Sequence, residues 1–159
     1  MTSITKHFSL AIFGILIGVA AYSEPLNFAS VDLPKATQHI VEQQKPLILY
    51  VAHSTCPFCK QLDKEIMPAV LNSKAYTDTV IVQKLVWDSF APVDWVDNQP
   101  TPPDDIVTMY KVRATPTLLF LNEKGEEIAK RIEGYRGADF YWVYLDKSIE
   151  QARQHLQGT

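Results

Sequence analysis

Two cysteines, Cys56 and Cys59, stand where an apolar run gives way to a helical repeat, and that junction limits what the chain can fold into. The run from Pro46 to Ala52 has the length and composition of a buried strand. Beyond the cysteines, Leu62, Ile66, Met67 and Leu71 recur at helical spacing among Lys60, Gln61, Asp63, Lys64 and Glu65. Pro57 suits a first helical turn, where its missing N–H has no intrahelical partner to lose. Cys56 therefore sits just ahead of a helix, facing unpaired backbone N–H groups and the positive end of the helix dipole. A thiolate is favoured there, and the thiolate is the reactive form of cysteine.

These are the chain's only two cysteines. Three positions apart on a regular helix, their Cβ atoms would be about 5–6 Å apart, whereas a relaxed disulfide wants roughly 3.5–4.5 Å. Such a pair closes with some strain, which favours a cycling bond over a structural staple. The loop it closes is also too short to remove much entropy from the unfolded chain. A structural disulfide and a metal site are the competing readings. The metal reading has only two thiolates, with His53 as a conceivable third ligand, and no second cysteine or histidine pair. We expect no metal and no cofactor.

With 159 residues, 47% of them apolar, the chain can bury one core. A formal net charge of -3 gives no reason to expect nucleic acid as a partner. Lys6 is the single charged residue in the first 23, and residues 8–21 are almost wholly apolar, followed by small residues. That is the pattern of a signal peptide over residues 1–23, cleaved near Ala21 to Ser23 and leaving a mature domain over 24–159. An uncleaved anchor is the alternative, although the run is shorter than a spanning helix needs. Either way the expectation is export, to the periplasm, where disulfides are met as substrates.

The rest of the chain reads in order. Asp32-Leu33-Pro34 is a helix start, with Leu33, Ala36, Ile40 and Val41 on one apolar face. The cysteine helix runs from 57 to about 71, with Pro68 expected to kink or interrupt it. Residues 79–87 read as a second strand. Residues 88–105 hold four prolines and five aspartates without periodicity, a length of loop that is usually functional or mobile. Its Trp95 and Phe90, with Trp87 before it, either line a partner site or tuck onto the domain. A short helix over 106–112, a third strand over 117–121, a turn at Asn122 to Gly125 and an antiparallel return over 126–132 follow. A last helix from about 138 carries Trp142, Leu145, Ile149, Ala152 and Leu156 in a stripe. The order implies an α/β fold, with a central mixed sheet and helices on both faces.

Cys56-Pro57-Phe58-Cys59 after a strand, and Ala114-Thr115-Pro116-Thr117 before a strand and hairpin, resemble the thioredoxin superfamily. The segment from Tyr110 to Thr117 and the pair Gly134-Tyr135 look closest to exported thioredoxin-like proteins of the SoxW type. The resemblance implies a thioredoxin-like fold, a cis bond before Pro116 lying against the cysteines, and a Thr115 backbone that pairs with a bound substrate strand. It also implies that Phe58 and Pro116 touch the substrate. Two positions depart from thioredoxin itself. Thr55 stands where a tryptophan is usual, and Tyr50 where a buried aspartate acts as proton acceptor. A phenol is a poor base at neutral pH. Lys84 stands near where that relay has a lysine.

The expected activity is thiol–disulfide exchange, with Cys56 as nucleophile and Cys59 as the resolving thiol. The expected partners are cysteine-containing exported proteins and a membrane or periplasmic thiol that donates electrons. The chain is expected to act as a monomer and, on balance, as a reductase. His53, three residues ahead of Cys56, either stabilises the thiolate when protonated or is a solvated rim residue. The alternative function is a chaperone-like module that holds cysteine-containing clients without turnover.

Overall fold

The computed structural model describes residues 26–95 and 98–158. The expected leader over 1–23 lies outside them. Helix α1 (Leu33–Gln43) starts as read: the Asp32 side chain caps it by accepting from the Lys35 N–H at 2.9 Å. Leu33, Ala36 and Ile40 are buried, but Val41 is 56% exposed and lies off that face. Strand β1 (Leu47–Ala52) is buried at every position. Helix α2 (Pro57–Glu65) ends at Ile66, and α3 (Met67–Asn72) restarts with Pro68 in its first turn. This is the interruption expected of a residue that cannot donate to the preceding turn. A further short helix, α4 (Lys74–Thr77), leads into β2 (Ile81–Val86).

The segment after β2 is less loop-like than its composition suggests. It folds a small hairpin of β3 (Val93–Asp94) and β4 (Pro100–Thr101), and α5 (Pro103–Met109) begins three residues before the expected helix start. Pro102 and Pro103, read as loop residues, form the helix entrance, a position that has no N–H bond to lose. Strand β5 (Thr117–Leu121) falls where expected. Its antiparallel partner is shorter and later than read: β6 is Ile132–Glu133, preceded by one bridge between Leu121 and Glu127. Helix α6 (Ala138–Gln157) closes the fold.

The main sheet has the order β2-β1-β5-β6, with β1 parallel to β2 and antiparallel to β5. Alternation along β1 splits the core into two layers. Ile48, Tyr50 and Ala52 pack with α2, α3 and α6 on one face, while Leu47, Leu49 and Val51 pack with α1 and α5 on the other. β5 repeats this, sending Leu118 and Phe120 one way and Leu119 and Leu121 the other. Cover on both faces is why β1 reads as an unbroken apolar run. On α6, Leu145, Ile149 and Ala152 are buried, whereas Trp142 and Leu156 at the ends of the stripe are half-buried and Tyr141 is drawn in. The cysteine corner lies where the central strand β1 runs out and the chain turns into α2.

Candidate active site

β1 delivers the chain to the corner and a tight turn reverses it. The Cys56 N–H donates to the His53 carbonyl at 3.1 Å, which closes the turn His53-Ser54-Thr55. Cys56 is the residue capping α2, with extended backbone angles (φ -72°, ψ 115°). The Cys59 N–H donates to Cys56 Sγ at 3.0 Å. The sulfur therefore occupies the place a serine or aspartate oxygen takes at other helix starts, and an anion there is met by an orphan N–H and the helix dipole. Cys56 and Cys59 are joined as a disulfide with Cα atoms 5.3 Å apart. The spacing expected from the sequence assumed both cysteines on a regular helix. Cys56 lies just ahead of the helix, as its place before Pro57 implied, with extended backbone that a regular-helix spacing does not describe. Cys56 is 8% exposed and Cys59 3%, so the first residue is the more accessible.

The other wall is the cis peptide Thr115–Pro116, at the position the resemblance implied. Cys56 Sγ lies 3.4 Å from the Thr115 carbonyl oxygen. Pro116 is held in turn: its carbonyl accepts from the Gly134 N–H at 2.7 Å. Gly134 has φ +76°, a left-handed conformation that glycine adopts without a side-chain penalty. Thr117 Oγ1 donates to the Ala114 carbonyl at 2.8 Å and tightens the same loop. The structure thus brings Cys56, Cys59, Thr115 and Pro116 together. Phe58, in the first turn of α2, is 52% exposed.

Beneath the cysteines lies a set of polar groups that the sequence reading only partly anticipated. Tyr50 is fully buried, and its hydroxyl donates to the Cys59 carbonyl at 3.2 Å. Burial, reinforced by Asp63, pushes its phenol far above the ordinary range, so it stays protonated and serves as a donor, not a base. Lys84 Nζ lies 2.7 Å from Asp63 Oδ2 and 4.6 and 4.8 Å from the ring centres of Phe28 and Tyr50. Asp63 Oδ1 is buried without a hydrogen-bond partner, one of three such side-chain atoms among the described residues. Lys84 was singled out from the sequence; Asp63 was not. The available signal was its place four residues after Cys59, on the same face of α2.

On the rim, the Ser54 N–H donates to Asp88 Oδ1 at 2.9 Å, and the Ser54 hydroxyl donates to Asp88 Oδ2. These bonds hold the Asp88 carboxyl below the usual carboxylate range. His53 Nδ1 lies 3.1 Å from Thr55 Oγ1 and 3.7 Å from Asp88 Oδ2, so its contacts are with the rim and not with the sulfurs. Trp87 donates its Nε1–H to Asp104 at 2.7 Å. The three aromatics of this region part company. Trp95 is 1% exposed in the core with Tyr110, while Phe90 is completely exposed. Among the described residues no three His, Cys, Asp or Glu side chains cluster as metal ligands.

Residues 33–149 match the model of the thioredoxin-like domain family. Similar solved structures include the oxidoreductase DsbH, at 18% identity and TM-score 0.56 over 77% of this chain and 84% of that one. A thioredoxin from Thermus thermophilus has 20% identity and TM-score 0.52 over 76% and 85%. The periplasmic thioredoxin SoxS from Paracoccus pantotrophus has 26% identity and TM-score 0.47 over 68% and 99%. The family match takes in β1, the cysteine pair, the cis-proline loop and most of α6, and the chain therefore belongs to the thioredoxin-like domain family as a thiol–disulfide oxidoreductase.

Proposed function

We propose that the protein is an exported reductase of protein disulfides, with Cys56 as nucleophile and Cys59 as resolving thiol. The observation that carries this is the capping geometry of Cys56: a backbone N–H aimed at the sulfur of the more exposed cysteine. In the dithiol state the Cys56 thiolate attacks one sulfur of a client disulfide. A mixed disulfide forms, and the other client sulfur leaves as a thiolate that takes up a proton. Cys59 loses its proton and attacks Cys56 Sγ; the client's second sulfur leaves and is protonated. The client gains two electrons and two protons, and Cys56–Cys59 closes. A thiol donor of the exported space reopens it by the reverse exchange.

Thr115 and Pro116 bind the client by offering backbone beside the sulfur, with Phe58 as a flanking apolar contact. Asp63, paired with Lys84 and four residues beyond Cys59 on α2, is the carboxylate we assign to receive the Cys59 proton. The donor to Cys56 Sγ is a neutral backbone N–H. That favours moderate thiolate stabilisation, the condition of a reductant and not of a strong oxidant. Export is supported by Lys6 and the apolar stretch over 8–21. Among the described residues no helix is long and apolar enough to cross a membrane.

The test is trapping. A Cys59→Ala variant exposed to exported proteins accumulates mixed disulfides through Cys56, and the double variant Cys56→Ser, Cys59→Ala accumulates none. Insulin reduction by the dithiol protein is expected to be rapid. A reduction potential close to that of the disulfide isomerases or oxidases would overturn the reductase direction.

A further inference from the structure

A groove of about 520 Å³ opens beside the redox corner, and the exchange steps above do not use it. His53, Trp87, Asp88, Phe90, Pro102 and Asp104 line it. It adjoins the turn that carries Cys56: His53 lines it and its carbonyl accepts the Cys56 N–H, and Ser54 in the same turn is bonded to Asp88. A client sulfur bonded to Cys56 therefore carries its neighbouring residues to the edge of this groove. The lining has two further properties. Phe90 is wholly exposed and contributes nothing to the core, and the Trp87 indole is pinned at its rim by Asp104. The charge is of one sign: residues 88–105 contain five aspartates and no lysine or arginine. Asp88 and Asp104 stand in the groove itself.

We propose that this groove seats the residues flanking the client's reactive cysteine and selects flanks that carry Lys or Arg beside an apolar side chain. The proposal rests on the exchange reading above. An arginine or lysine lays its aliphatic stem along Phe90 and Trp87 and its charge between Asp88 and Asp104, which combines apolar contact, attraction to ring faces and charge pairing. An acidic flank meets like charge and is rejected. The selectivity resides in the segment between β2 and α5, apart from the cysteines and cis-proline that perform the exchange.

The experiment uses the reduced protein and three synthetic disulfide-bonded peptides identical except beside the cysteine, where they carry Arg-Leu, Gln-Leu or Glu-Leu. Second-order rate constants for oxidation of the protein are measured in single turnovers. The Arg peptide is expected to react about tenfold faster than the Glu peptide at low ionic strength, with the ratio shrinking as salt is added. In the double variant Asp104→Asn, Phe90→Ser that ratio falls towards one. The substituted amide keeps an acceptor for the Trp87 indole, and Phe90 has no packing to lose, but any general damage slows all three peptides alike and leaves the ratio intact. Equal rates on the wild-type protein, or a ratio that survives the double variant, would overturn the proposal. Complete inactivity of the wild type towards all three peptides and a small dialkyl disulfide would overturn the exchange reading itself, and the groove with it.

Discussion

The corner between β1 and α2 and the segment between β2 and α5 border the same disulfide but are held in opposite ways. The corner is fixed from below. Leu47 to Ala52 are buried on both faces, Leu62 and Ile66 anchor α2, and the Cys59 carbonyl is held by Tyr50. The segment is fixed at its ends, by Ser54 on Asp88 and by Trp87 on Asp104, and at one buried point between them. Trp95 plugs the second core layer, its backbone N–H donates to the Gln99 carbonyl at 3.2 Å, and a bridge joins Asp94 to Asp32. Between Asp88 and Pro92 the side chains are largely at the surface, and Phe90 is bare. Exchange chemistry needs two sulfurs at a set distance and a donor aimed at one of them, so it belongs on the rigid corner. Contact with varied clients tolerates a looser frame, and surface segments supply one.

Cys56→Ser is expected to remove exchange with a protein disulfide altogether, measured by insulin turbidity, because no other accessible sulfur is presented at the site. Full activity in that variant would remove the corner from the mechanism. Next comes stability. Phe120→Ala, at a fully buried position in the same core layer as the cysteines, is expected to cost about 3–5 kcal/mol in urea unfolding. Trp95→Ala is expected to cost a similar amount, and Phe90→Ala to stay within about 0.5 kcal/mol. A small loss at Trp95 would mean that the segment is not anchored as described.

Smaller again is Asp63→Asn, which leaves Lys84 facing a neutral amide. We expect a loss of about 1–2 kcal/mol, since both partners retain some solvent contact. We also expect a shift in the pH dependence of the resolving step, followed by decay of the mixed disulfide. An unchanged pH profile would leave Asp63 a structural residue only. The smallest effect concerns Asp88. Its folded pKa is lowered chiefly by the Ser54 hydrogen bonds, so its contribution is present above the unfolded value of about 3.9 and fades as pH falls through the lower folded one. Asp88→Asn should therefore flatten a slight acid-side loss of stability below about pH 4, followed by unfolding across an acid titration.

Much of the corner is legible in sequence because its signals are local. A strand run, a proline at a helix start and an amphipathic repeat each report on their own few residues, and Asp32 and Pro68 act as their chemistry requires. The Asp63–Lys84 pair is harder to see because its members are 21 residues apart and meet only once α2 lies over β2. Val41 falls outside the buried face because periodicity marks a stripe without its width. The return strand is shorter than expected because residues 126–132 are compatible with a strand, while pairing is decided by the register that β5 offers. The three aromatics around the 88–105 segment look alike in sequence and come to rest in the core, at the rim and in solvent.

The reactive pair, the helix start that polarises it, the second wall at Thr115-Pro116 and the mixed order of strands and helices were all legible in the residues alone. The wall at Thr115-Pro116 came from the family resemblance, and the rest follows from the chemistry of a few adjacent residues. Packing decided that Asp63 pairs with Lys84, that Tyr50 is a donor to the Cys59 carbonyl, and which side of the site carries the acidic groove. Those facts depend on distances between groups far apart along the chain, and packing sets such distances where local preference does not.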